Sequence, residues 1–331
     1  NHTDTRKGET DTIVSVTDAD KADKENGKYT LDVDNKNNVF EETLAGNGST
    51  VLKLYFKLNT ATFTIHHYLL GTTVKVADDQ TGTQTIGTTL TASAAAKDKL
   101  YADYKDATAT EESFAQTITI SASGNVITVY YTVPLTIEAK SASREYTGEE
   151  LTEPGFEITA GKLVNGDKEL KLRMTGTSKI TDVGKQPNVI DPDTVTIDDK
   201  ALTEYGYYDV TYKDGLLEIT KATAEVVVTI KGHTGTQKYD GKEYTVTGYD
   251  VVSIKDSTNQ YTVKDFTFSG TAEAKGTDAS DNPYMMGLKA SDFTNTNGNF
   301  KNVRFDVTDG KLTINKRSVT FTGQTDTKEY N

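Results

Sequence analysis

The sequence predicts an all-β protein with room for one short helix, laid out as a tandem array of small modules. Three observations carry that reading. Val, Ile, Thr and Tyr recur in short alternating runs, whereas Ala/Leu/Glu/Lys periods at helical spacing are largely missing. Only 35% of the 331 residues are hydrophobic, lean for one large core but workable for several thin ones. Finally, stretches of the chain resemble one another at long, regular intervals.

The longer repeat fills the C-terminal half. An apolar strand leads into an aromatic turn signature three times: Leu135–Ile137 before Arg144-Glu145-Tyr146-Thr147-Gly148, Val226–Ile230 before Gln237-Lys238-Tyr239-Asp240-Gly241, and Ser318–Phe321 before Lys328-Glu329-Tyr330-Asn331. These tyrosines stand 93 and 91 residues apart. Each complete unit closes on Asp-Gly between alternating apolar residues, Asp214-Gly215 in one and Asp309-Gly310 in the other. That pattern predicts hairpins, since glycine tolerates the positive φ of a tight turn. Thr181-Asp182 and Thr277-Asp278 correspond mid-unit. The third copy stops just after its signature, as expected of an excerpt from a longer protein.

A shorter repeat lies N-terminal to it. The alternating strand Phe63–Leu69 precedes Thr81-Gly82-Thr83 and Gly87-Thr88-Thr89, and the unit ends in Gly124–Val133. That last strand has an earlier twin in Gly48–Lys57. Between them, Ala92–Lys105 reads either as a short helix, from its alanines, or as an extended aromatic segment.

On these residues the chain resembles two groups of bacterial surface repeats. Residues 63–133, with His66-His67-Tyr68-Leu69 and a closing Val126–Tyr131 strand, look like a MucBP (mucin-binding protein) repeat, and residues 48–57 resemble its tail. An Ala-rich stretch replaces the Pro/Gly-rich middle of the commoner pattern. Residues 135–316 resemble the Ig-like repeats called MBG domains in Firmicutes adhesins, through Tyr-x-Gly at Tyr146 and Tyr239 and the closing Asp-Gly. The resemblance implies an elongated array of β-grasp-like and Ig-like β-sandwich modules: a partial MucBP-like repeat over 1–59, a MucBP-like module over 60–134, MBG repeats over 135–221 and 222–316, and the start of a third over 317–331. It carries over no catalytic residue.

The residues themselves also argue against an enzyme. No nucleophile elbow, zinc-protease helix, phosphate loop or dinucleotide fingerprint is present. Absent cysteines remove disulfides and thiol chemistry. His66 and His67 are strand neighbours and point to opposite faces, so they do not share a metal. No cofactor is expected. Asp18, Asp20, Asp23, Glu25, Asp32 and Asp34 leave calcium as the alternative to a solvated acidic loop, although no glycine stands at the sixth position of a calcium loop. The net charge of −13 is dispersed, which speaks against nucleic acid and an anionic membrane as partners.

Tyrosine is the remaining candidate for binding, since it offers a large apolar face with a polar tip. Tyr130, Tyr131, Tyr146 and Tyr239 recur at repeat positions and read as core or corner residues. Tyr101 and Tyr104 in the Ala-rich stretch, and Tyr205, Tyr207 and Tyr208 around Gly206, do not recur and are the candidate ligand contacts. The expected protein is a monomeric, non-catalytic adhesin fragment of a Gram-positive cell surface, extracellular, with its wall anchor outside these residues. It binds mucin glycans, or a host glycoprotein or immunoglobulin, through the N-terminal modules. The alternative is a purely structural stalk.

Overall fold

Parity of burial along single strands organises the molecule. The computed structural model describes residues 2–330. Strands account for 43% of the chain and helical turns for 7%, so the all-β expectation holds. Two units can be separated. One runs from the N-terminus to Glu138 and includes Glu157–Arg173 and Asp191–Lys213; the other holds Ala139–Phe156, Met174–Ile190 and the residues from Asp214 onward.

The first unit is built on one long strand, Asn125–Ala139, in which every second residue is buried: Asn125, Ile127, Val129, Tyr131, Val133, Leu135, Ile137 and Ala139. A strand turns successive side chains to opposite faces, so this uninterrupted alternation keeps one face inward over its whole length. Its neighbours change on the way. Asn125–Tyr131 pairs in parallel with Phe63–Leu69, and Val133–Glu138 pairs in parallel with Tyr208–Lys213. The position between residues 134 and 135 therefore lies inside a strand. Proline costs a sheet one donor. Here the Val133 N–H donates to Tyr207 O at 2.8 Å, so by the alternation of the ladder the absent N–H of Pro134 belongs to the other side. Pairing with Thr108–Ala109 ends on the strand at Thr132.

The Ala-rich stretch is not a continuous helix. It makes two three-residue 3-10 turns, Lys97–Lys99 and Ala102–Tyr104. Between them the backbone is extended, and the Tyr101 N–H donates to Val76 O at 2.8 Å. Residues 48–57 also depart from their apparent twin. Only Phe56–Leu58 is a strand there, paired with Tyr29–Leu31. Val51 and Tyr55 are 58% and 41% exposed.

In the second unit the strand Val226–Gly232 lies between Tyr249–Lys255 and the parallel Val303–Thr308. The chain then turns at His233 into Thr234–Lys238, which pairs in parallel with Lys311–Asn315. Two adjacent strands thus cross from one sheet to the next in step, Lys231 beside Thr308 and then Thr234 beside Lys311. Val226, Val228 and Ile230 face one core, and Leu312 and Ile314 another.

This corner corrects the hairpin expectation. Tyr208–Lys213 pairs with Val133–Glu138, whereas Gly215–Thr220 pairs with Ala142–Glu145 and Gly184–Asn188. Asp214-Gly215 and Asp309-Gly310 therefore change sheets rather than fold a strand back on itself. Neither Gly215 nor Gly310 has a positive φ. Glycine is required by close approach instead: a Cβ at Gly215 would stand 2.6 Å from Ala139 O, and one at Gly310 would stand 2.6 Å from His233 O. Gly215→Ala and Gly310→Ala should each lower the stability of the second unit by about 1–3 kcal/mol, the usual cost of forced overpacking. Gly176→Ala, which meets nothing within 4 Å, should stay within about 0.5 kcal/mol. Denaturant melts of the three variants check this.

Candidate functional site

The strand Thr60–Leu69 sets up the site by the same parity rule. Ile65, His67 and Leu69 point inward, and His66 and Tyr68 outward. His67 is 1% exposed, and its Nδ1 stands 3.0 Å from the Tyr131 hydroxyl. That hydroxyl also accepts the Ala95 N–H at 2.7 Å, which ties the Ala-rich segment to the core. Burial pushes the His67 imidazole below its ordinary pKa of 6.5.

On the outer face the His66 ring stacks on Tyr68, with centroids 5.4 Å apart and planes 19° from parallel. His66 Nδ1 lies 3.0 Å from Asp79 Oδ1; both atoms are shielded from water and meet only each other. Lys75 Nζ holds the other oxygen of Asp79 at 3.0 Å. His66 first, and then Lys75, keep the Asp79 carboxyl below the usual carboxylate range. Beside them the Tyr101 hydroxyl donates to Asp78 Oδ1 at 2.7 Å, and its ring is 39% exposed. Tyr68, Tyr101, Lys75, Asp78 and Asp79 form a face that combines aromatic rings with fixed carboxylates.

Three residues further on, the chain turns inward. Tyr104 is buried beside a cleft of about 230 Å³ lined by Asp103, Pro134, Gly161, Lys162 and Val164. Lys162 Nζ pairs with Asp103 Oδ1 at 2.6 Å in solvent, an arrangement that contributes little to stability. The cleft is smaller than the roughly 300–1,000 Å³ of ordinary small-molecule pockets. Close by, Asp167 Oδ2 accepts the hydroxyls of Tyr207 at 2.8 Å and Tyr208 at 2.7 Å. Tyr208 in turn accepts the Val164 N–H at 2.9 Å. Asp167 is presented by the turn Val164–Asp167, in which Asn165 and Gly166 both take positive φ. Desolvation, with help from Asp167, pushes the Tyr207 phenol up to about 12.

The five candidate tyrosines therefore have different fates. Tyr104, Tyr207 and Tyr208 are 8%, 6% and 8% exposed, so their rings present no face on which a ligand could stack. Tyr205 is half-buried and donates to Ile197 O at 2.9 Å. Tyr101 keeps an accessible ring. Sequence reasoning missed Tyr68, Lys75, Asp78 and Asp79; the alternation of Phe63–Leu69, which sets Tyr68 on the face of His66, was the available signal. Asp167 was missed too, although Asn165-Gly166 marks its turn.

The acidic N-terminal residues do not converge. Asp20 binds Arg6 and caps the turn at Thr17, Asp23 accepts from Thr30, and Glu25 pairs with Lys28. Among the described residues no three His, Asp or Glu side chains come together as cation ligands. Nor, among the described residues, is any helix long and apolar enough to cross a membrane.

No family model matches this chain, and no curated protein matches it.

Two expectations follow from the site. Asp167→Ala would strip the acceptor from two buried hydroxyls, at about 1–3 kcal/mol each, and should lower the melting of the first unit; Asp167→Asn should retain part of the loss. The pH dependence follows from His67. Its folded pKa is depressed, so the unfolded chain binds the extra proton. The stability it contributes is full above pH 6.5 and is lost as pH falls through the folded value. Denaturant midpoints measured from pH 7.5 down to pH 5 should decline, and His67→Phe should flatten that limb.

Proposed function

We propose that this chain is a non-catalytic fragment of a bacterial surface adhesin, and that it binds host glycans of the mucin type on the Tyr68–Tyr101 face, with the later repeats as spacers. The observation that carries the reading is Tyr101: an accessible ring anchored through its hydroxyl to Asp78, beside a second aromatic stack and a charged pair. Sugars are recognised by such a combination, since their apolar faces stack on aromatic rings while hydroxyls bond fixed carboxylates. Assignment to a Gram-positive wall, outside the cell, rests on the resemblance of residues 63–133 and 135–316 to MucBP and MBG repeats.

A second reading, a purely structural stalk, is favoured by a specific observation as well. Three of the five non-recurring tyrosines are core residues, and the 15-residue strand Asn125–Ala139 leaves no flexible linker at residue 134. An immunoglobulin-binding surface would use the same exposed face.

A glycan array and an immunoglobulin pull-down with the full chain separate these readings. Mucin-glycan retention should fall at least about tenfold in Tyr101→Ala, equivalent to 1.4 kcal/mol, with the melting point unchanged. Retention of immunoglobulin alone would replace the glycan reading, and retention of neither ligand would leave the stalk.

A further inference from the structure

The two long repeats carry the same end, and only one of them is covered. Tyr146 and Tyr239 occupy equivalent places. The Tyr146 N–H donates to Thr220 O at 2.9 Å, and the Tyr239 N–H donates to Asn315 O at 3.0 Å, each following a strand that pairs in parallel with the closing strand of its repeat. Five residues later the match continues: Leu151 bridges Ile180 as Tyr244 faces Gly276, just before Thr181-Asp182 and Thr277-Asp278. Yet Tyr146 is 8% exposed and Tyr239 is 40% exposed.

The difference is what stands on the ring. Tyr146 meets Phe300 edge-to-face, with centroids 5.5 Å apart at 77°. Phe300 is 3% exposed and comes from the repeat that follows. Its neighbour Asn299 reads the rest of the end: Oδ1 accepts the Val183 N–H at 2.9 Å, and Nδ2 donates to Asp182 Oδ1 at 3.0 Å. The Asn299 carbonyl accepts the Ala222 N–H at 2.9 Å, so the same loop also grips the connection between the repeats. The aromatic contact and the bidentate amide together form a plug in a socket made of Tyr146, Asp182 and Val183.

We propose that Tyr239, Asp278 and Ala279 form a second socket of this kind, and that its occupant is another repeat like 222–316, inserting an Asn-Phe pair equivalent to Asn299-Phe300. The internal duplication identifies the partner, because the chain itself displays the occupied form. Asp278 is exposed and supplies the carboxylate, the Ala279 N–H supplies the donor, and Tyr239 supplies the ring. One contact does not carry over: Glu145, which accepts from Thr223, is replaced by Lys238 at the second end. The second socket therefore depends on the ring and the amide.

The test extends the full chain by placing a second copy of residues 222–331 directly after Lys316. Tyrosine nitration, read by peptide mass spectrometry, reports each ring, and hydrogen exchange of the added closing strand reports its folding. Tyr239 labelling should fall about fivefold, the ratio of 40% to 8% exposure, and Phe300→Ala in the added copy alone should restore it. In the original chain, Phe300→Ala should raise Tyr146 labelling and leave Tyr239 unchanged. Undiminished Tyr239 labelling beside a folded added copy would overturn the proposal. So would an added copy that fails to gain the exchange protection of the original.

Discussion

The six-stranded sheet of the first unit depends on one strand keeping one face dry for fifteen residues. From Asn125 to Ala139 the inward positions never slip, although the partners change from Phe63–Leu69 to Tyr208–Lys213. A slip of one residue would turn every inward side chain outward, so the apolar pattern fixes register on both sides of Pro134 at once. The outer face inherits its order from that constraint. Asn125–Tyr131 holds Phe63–Leu69 in register, parity puts His67 in the core and His66 on the opposite, half-buried face, and the outward residues can then assemble with Lys75, Asp78 and Asp79.

Much of this fold was legible in the sequence, because alternation is a local signal. The strands over 63–69 and 126–133 and both closing strands of the long repeat stand where the alternation placed them. What local pattern did not reveal was pairing. Gly48–Lys57 has the composition of a central strand, yet its regular pairing is confined to Phe56–Leu58 against Tyr29–Leu31. Asp-Gly at 214–215 and 309–310 was read through turn chemistry, whereas the glycines answer to backbone crowding between two chains that are distant in sequence. Ala92–Lys105 has helical composition, yet the Val76 carbonyl and the Tyr131 hydroxyl claim its backbone donors for the sheet, taking the N–H groups of Tyr101 and Ala95. Tertiary hydrogen bonds outweigh a propensity of a few tenths of a kcal/mol per residue.

The site was less legible than the fold. Non-recurrence singled out five tyrosines, and the structure shows why the criterion misleads. A tyrosine unique to one repeat can serve a packing need unique to that repeat, as Tyr207 and Tyr208 do above Asp167. Recurrence misleads in the opposite direction. Tyr146 and Tyr239 hold equivalent backbone places, yet Phe300 covers the first while the second is 40% exposed. Exposure belongs to the assembled molecule, so a repeat alignment cannot supply it.

The shared strand also bears on how such a chain can change over generations. Proteins made of repeats can vary by unequal recombination, which adds or deletes whole units wherever the exchanged ends still fit. An exchange between residues 134 and 135 would join half a strand to a stranger, and the offspring would have to match inward parity, register and two sets of partners at once. Exchange at the boundary between the long repeats asks less, since the fit there rests on a ring, an amide and a short connection. Copy number should therefore drift among the long repeats, while the junction at Pro134 is inherited as a single block.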